Sequence, residues 1–128
     1  MSYHFSRQLN TTFADAETRV VQQLMEERFG VLSEIDVQAT LKKKLDIDFT
    51  PYKILGACNP SFAYQALQVE PHVGTMLPCN VILRELSEGS IEVSAVDPLA
   101  SMQAINNPEL GSIAEQIRDK LKKVITAL

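Results

Sequence analysis

The two cysteines of this 128-residue chain stand in matching dipeptides, Cys58-Asn59 and Cys79-Asn80. A thiol attacks as its thiolate, so the first question is whether its surroundings lower its pKa. Asn59-Pro60 is a helix start, because asparagine accepts from the first free amides and proline's missing N–H costs nothing at the first helical position. Cys58 therefore precedes a helix N-terminus, whose dipole favours a thiolate. The same position also suits a small buried side chain packed on Ala63, since free cysteine is among the most buried residue types. Cys79 can resolve an oxidised Cys58 only if their strands are neighbours, because a bridge needs α-carbons about 4.4–6.8 Å apart.

A second constellation is Glu34, Asp36 and Lys44. Residues two apart on a strand point the same way, and Lys44 lies at the edge of the apolar stripe of the helix that follows. Together they form a candidate cluster for a small charged molecule. The alternative is that Asp36 caps the helix, Lys44 snorkels and Glu34 is solvated. The run Lys42-Lys43-Lys44 also suits the basic end of a helix. The ligand-binding candidates are thus Cys58, Asn59, Cys79, Asn80, Glu34, Asp36 and Lys44.

Other chemistry has little to stand on. His4 and His72 are the only histidines, and no C-x-x-C or H-x-x-x-H spacing places two metal ligands on one local element. G-x-S-x-G, the P-loop, G-x-G-x-x-G and H-E-x-x-H are all missing. No metal, no cofactor and no catalytic residue is assigned.

The elements that must position these residues follow from periodicity. "YHFSRQL" alternates with the period of two of a strand. "TTFADAETRVVQQLMEERFG" changes period, with Phe13, Ala16, Val20, Leu24 and Arg28 on one helical stripe, Thr12 as cap and Gly30 for the left-handed position after the end. "VLSEIDV" reads as a strand, Asp36 caps a helix with the stripe Val37, Leu41 and Leu45, and Tyr52 to Cys58 is a strand. The helix from Pro60 stops before Pro71. Asp97-Pro98 and Asn107-Pro108 repeat the helix-start device, and Pro108 to Leu128 carries the stripe Leu110, Ile113, Ala114, Ile117, Leu121, Val124 and Leu128.

Cys79–Glu85 and Ile91–Val96 form a hairpin. A loop of Ser87-Glu88-Gly89, with Gly89 left-handed, sets Val81 opposite Ala95, Leu83 opposite Val93 and Arg84 opposite Glu92. A shift of one residue mixes the faces. Extended further, this register sets Cys79 opposite Asp97.

At 128 residues, residues 1–128 make one domain, long enough to bury roughly two thirds of its unfolded surface. Hydrophobic residues at 45% and charged residues at 22% are ordinary globular usage, which excludes disorder and fibrous repeats. A net charge of -4 offers no basic field for phosphate backbones, so no nucleic-acid partner is expected. The polar start "MSYHFSRQLNTTF" and the lack of an apolar run of roughly 20 residues give the expectation of a cytoplasmic protein with no membrane partner. The elements belong to one two-layer unit.

"FGVLSEIDVQATLKKKLDIDFTPYKILGACNPSFAYQAL", then "LPCNVILRE" and "EVSAVDP", resembles the bacterial and archaeal domain of unknown function 302 family, in the same order over most of the chain. The resemblance carries Glu34, Asp36 and Lys44 in "EIDVQATLKKK". It implies an α+β fold, two layers with helices packed on one face of a largely antiparallel sheet, commonly a homodimer, and it implies no activity. The first strand, "YHFSRQL", has little charge to guard an exposed edge, which also points to self-association. The resulting expectation is a non-catalytic homodimer that binds a small molecule or partner protein beside the Cys58-Asn59 turn. Thiol-dependent redox or sulfur-transfer activity through Cys58 and Cys79, and a purely structural dimer module, are the alternatives.

Overall fold

A computed structural model describes residues 2–128. Strand β1 (His4–Leu9) leads into helix α1 (Phe13–Glu26), β2 (Gly30–Asp36), α2 (Val37–Leu45), β3 (Tyr52–Cys58) and α3 (Pro60–Val69). A 3-10 turn over Pro71–Met76 precedes β4 (Cys79–Ser87) and β5 (Ser90–Val96), and α4 (Pro98–Ser101) and α5 (Pro108–Thr126) complete the chain. The strands form one sheet in the order β1-β5-β4-β3-β2, and every neighbouring pair is antiparallel. The fold is α+β, as the sequence implied, with β1 and β2 at the two edges.

Alternation along the strands sorts side chains onto two faces. On one, Leu55, Ala57, Cys79, Val81, Leu83, Ile91, Val93 and Ala95 are buried. Against them pack Ala16, Val20 and Leu24 of α1, Ala66 of α3, and seven residues of α5 from Leu110 to Ile125. At roughly 1.5–3 kcal/mol for each fully buried Leu, Ile or Val, the α5 face alone is a major part of the driving force. The opposite face of the sheet carries no helix of this kind: Asn80 and Arg84 are exposed there and Ile82 is half-buried.

The helix starts behave as their dipeptides dictate, and they also join helices to one another. The Asn59 side chain accepts from the Phe62 N–H at 3.5 Å, and its amide donates to the Glu27 carbonyl at 3.3 Å, beside the end of α1. Asn107 accepts from the Glu109 N–H at 3.2 Å and donates to the Val69 carbonyl at 2.8 Å, at the end of α3. Each asparagine thus satisfies orphan donors of one helix and an orphan acceptor of another. Thr12 caps α1 and Asp97 caps α4 in the expected way.

The hairpin has the expected register, Val81 with Ala95, Leu83 with Val93 and Arg84 with Glu92, and Gly89 has φ +77°. Two details differ. Ser87 pairs with Ser90, so the loop proper is Glu88-Gly89, and an irregularity between Glu85 and Ser87 absorbs the odd residue. The β4–β5 ladder also stops at Val81 with Ala95, short of Cys79 and Asp97; on its other side Cys79 pairs with Ala57, and the Asp97 N–H donates to the Tyr3 carbonyl.

The end of α1 is a further correction. Gly30 opens β2, and the left-handed residue is Arg28, φ 66°. The Phe29 N–H donates to the Leu24 carbonyl at 2.8 Å and the Arg28 N–H to the Met25 carbonyl at 3.0 Å. This is a Schellman closure, and the burial of Phe29 against the core holds it although the left-handed position lacks glycine.

Candidate functional site

The sequence-derived candidates do not converge; the fold divides them among three places. Cys58, Asn59 and Cys79 meet at the corner where β3 hands over to α3. Both thiols line one small cavity with Phe29, Ala66, Leu77 and Pro78, of about 20 Å³. That is room for about one water molecule and for no larger ligand. Gly56 sits beside this corner, opposite Asn80, and Ser33 and Pro78 lie so close that a Cβ there would collide with both.

The thiol electrostatics run opposite to the thiolate expectation. Burial pushes the Cys58 pKa up, and burial together with the neighbouring Cys58 pushes Cys79 up to about 11. Cys58 lies before the cap of α3, but removal from water disfavours its charged form more than the helix terminus favours it. Both cysteines are free thiols.

The second place is the inner face of the β2 edge. Glu34 stands opposite Leu55 and Asp36 opposite Lys53. The cation of this cluster is Lys53, not Lys44: its Nζ lies 2.8 Å from Glu17 Oε1 and 2.8 Å from Glu34 Oε1. Hydrogen bonds to the two carboxylates hold the Lys53 ammonium well above the ordinary lysine pKa. Asp36 is occupied as the cap of α2, accepting from the Ala39 N–H at 2.9 Å. Lys44 is exposed on α2. Lys53 escaped the sequence reading because only the β2–β3 register brings it to Glu34; its one local signal is a lysine at an inward position of a strand.

Asn80 marks the third place. It points to the helix-free face, where Tyr3, His4, Tyr52, Ile82, Arg84 and Ser94 join it around a groove of about 460 Å³. Across this face the rows run Ser6, Ser94, Ile82, Ile54, Ile35 and Gln8, Glu92, Arg84, Tyr52. Ser94 is buried; its Oγ is 2.7 Å from Ser6 Oγ, which is 2.7 Å from His4 Nδ1. Arg84 Nε donates to Glu92 Oε1 at 2.8 Å. The groove therefore presents hydroxyl, amide, imidazole and phenol groups around an apolar strip, with its guanidinium already paired to a carboxylate.

Among the described residues, every buried side-chain polar atom has a partner, so no orphaned interior group marks a ligand, and the open surface is where binding groups remain. No three His, Cys, Asp or Glu side chains of the described residues gather in a metal-holding arrangement. His72 is exposed on the 3-10 turn, 3.7 Å from Glu70, and no helix of the described residues is long and apolar enough to cross a membrane.

A five-stranded antiparallel sheet covered by helices on one side, with an open groove on the other, defines a small α+β domain of one-sided architecture. A family model described as "Domain of unknown function DUF302" matches residues 5–128, and the chain belongs to that family. Among solved structures it is similar to one titled "Crystal structure of uncharacterized conserved protein DUF302 from Bacillus stearothermophilus". The two share 29% identity with a TM-score of 0.91, over 99% of this chain and 98% of that one. No curated protein matches the chain.

Proposed function

We propose that this chain is a non-catalytic, homodimeric cytoplasmic domain that binds a small, uncharged polar molecule on its helix-free sheet face. The observation that carries the reading is the groove beside Asn80: at about 460 Å³ it falls in the size range of small-molecule sites, roughly 300–1,000 Å³. The cavity at the Cys58-Asn59 turn is about 20 Å³, so the binding place moves from that turn to the open face. Because Arg84 is paired to Glu92 at 2.8 Å, the groove has no uncompensated charge for an ion, and its free donors and acceptors suit hydroxyl and amide groups. The non-catalytic part is supported by thiols whose pKa values are raised. The homodimer is supported by the two outermost strands, β1 and β2, because soluble proteins pair, cover or charge such edges.

Amide and methyl NMR spectra of the isotope-labelled protein, recorded against a panel of uncharged polyols, amides and nucleosides, test the binding claim. Shifts confined to Asn80, Ile82 and Ser94, weakened in Asn80→Ala, are the expected result. Shifts centred on Cys58 and Ala63 return the site to the thiol corner, and silence across the panel removes the reading.

A further inference from the structure

Ser6 and Ser94 are a cross-strand pair of β1 and β5, and His4, two residues before Ser6, belongs to the same face of the sheet. The three side chains form a chain: Ser94 Oγ lies 2.7 Å from Ser6 Oγ, which lies 2.7 Å from His4 Nδ1. Both ends of it, His4 and Ser94, border the groove. A hydroxyl has one hydrogen to donate, and a neutral imidazole has one donor and one acceptor nitrogen. Among the described residues, Ser6 is the one partner of the Ser94 hydroxyl. Ser94 is buried, and a buried O–H left without an acceptor is costly. Ser94 therefore donates to Ser6, Ser6 donates to His4, and Nδ1 of the neutral ring accepts. That ring carries its hydrogen on Nε2, and the lone pairs of Ser94 Oγ are what remains for the groove.

We infer that Ser94 selects between hydrogen-bond donors and acceptors in the groove, and that the protonation state of His4 decides which of the two it selects. A protonated imidazole donates from both nitrogens. When Nδ1 takes a proton from solvent, it donates to Ser6, Ser6 turns its hydrogen to Ser94, and the Ser94 O–H has to find its acceptor in the groove. The charge stays on the imidazole; only the hydroxyl rotations change. With neutral His4 the site takes a ligand N–H or O–H, as of a primary amide or an alcohol, and with charged His4 it takes a carbonyl oxygen. Imidazole is the side chain suited to make this change between about pH 5 and pH 8. The charges around it leave the step to His4: in the groove, Arg84 is held by Glu92 at 2.8 Å, and Tyr3 stands edge-on to the His4 ring at 5.0 Å between centroids. Asp97, beyond the end of β5, holds the first amides of α4. On the helix side of β1, Arg7 donates to the Thr126 carbonyl at 2.6 Å and Lys122 lies over the Phe5 ring.

This rests on the groove reading of the preceding section, and its first test needs no ligand. Ring 15N NMR of the wild type at about pH 8 should show His4 hydrogen on Nε2, and the Ser94 13Cβ shift should follow the His4 ring through the same midpoint between about pH 5 and pH 8. That coupling should vanish in Ser6→Ala and return in Ser6→Thr, which keeps a hydroxyl. Hydrogen on Nδ1, a Ser94 signal flat with pH, or coupling that survives in Ser6→Ala overturns the relay. The second test titrates N,N-dimethylacetamide, which only accepts, and acetamide, which also donates. N,N-dimethylacetamide should bind about 2–10-fold more tightly at pH 5 than at pH 8, as for one net hydrogen bond, with its Ser94 shift absent at pH 8 and the pH dependence lost in Ser6→Ala. Acetamide should shift Ser94 at both pH values. Equal N,N-dimethylacetamide affinity at the two pH values overturns the selection by Ser94 and leaves the groove standing. Silence of both amides alongside an intact relay overturns amide recognition by the groove instead.

Discussion

Gly56→Ala isolates the corner between the thiol cavity and the open face. Gly56 lies inside β3 and has no positive φ, so alanine suits its backbone and, through the unfolded chain alone, should stabilise by about 0.4–1 kcal/mol. The added Cβ, however, would collide with Ser33 Oγ and come within 2.7 Å of Pro78 Cγ. Ser33 is exposed and can rotate its hydroxyl aside, but the proline ring cannot move without its backbone. Overpacking of this kind costs about 1–3 kcal/mol. The clash wins, and the net expectation is a loss of about 1–2 kcal/mol. Urea denaturation should show a lower midpoint at unchanged slope. Ser33→Ala alone should be neutral within about 0.5 kcal/mol, as for other surface changes. Ser33→Ala/Gly56→Ala should recover part of the loss, because only the Pro78 contact remains. A Gly56→Ala protein as stable as wild type would refute the packing argument, and a double variant no better than Gly56→Ala would refute the role given to Ser33.

Cys79, raised to about 11 from an ordinary 9.0, makes the folded state hold its proton longer than the unfolded state. Its contribution is fully present below pH 9 and is lost as pH rises through about 11, so the stability difference between wild type and Cys79→Ala should narrow by up to about 2–3 kcal/mol across that window; a difference that grows with pH contradicts the burial. Both native thiols should alkylate slowly at neutral pH and normally after unfolding. Asn59→Ala should cost about 1–2 kcal/mol in chemical denaturation, since it removes the cap of α3 and leaves the Glu27 carbonyl without this donor; a cost near zero excludes the stapling role. Arg28→Gly should stabilise by about 0.5–1 kcal/mol in the same assay, because a left-handed non-glycine costs about 1–2 kcal/mol, part of which glycine's added unfolded-state freedom offsets. A loss of stability would show that the Arg28 side chain, rather than the Phe29 closure, holds the turn.

What the sequence made legible was local. Asn59-Pro60, Asp97-Pro98 and Asn107-Pro108 carry their own instruction, because cap and proline sit side by side. The hairpin register was readable from Gly89 and from the agreement of apolar and charged pairs, since only one alignment satisfies both. The misses are all cases where another part of the fold decides. Arg28 takes the left-handed position because Phe29, one residue on, has a core to enter. Lys53 joins Glu34 and Glu17 through the β2–β3 register and the packing of α1. The groove draws on β1, β5, β4 and β3 at once, and the strand order that assembles it is encoded in no local period. The stripe Val37, Leu41 and Leu45 was correctly periodic, yet no residue of α2 is buried, because periodicity reports an apolar face without saying what covers it.

The two Cys-Asn dipeptides show how strand parity, rather than residue type, divides the molecule. Cys79 pairs with Ala57 and points to the helices, so period two obliges Asn80 to point to the open face. Cys58 is the last residue of β3, so Asn59 leaves the ladder and turns inward to close α3 and meet α1. The same pair of residues thus yields a buried thiol with an outward amide in one place, and a half-buried thiol with a buried capping amide in the other. Burial keeps the thiols protonated and the cap consumes Asn59, which leaves Asn80 as the member of the four with its hydrogen-bonding groups turned to water. Its outward neighbours are set by the same parity: Ser94, whose hydroxyl is joined to Ser6, and Arg84, whose guanidinium is joined to Glu92. Recognition at this face therefore depends on strand parity holding along β4 and β5, and a single-residue register slip would bury Asn80 and Arg84 while turning Val81 and Leu83 outward.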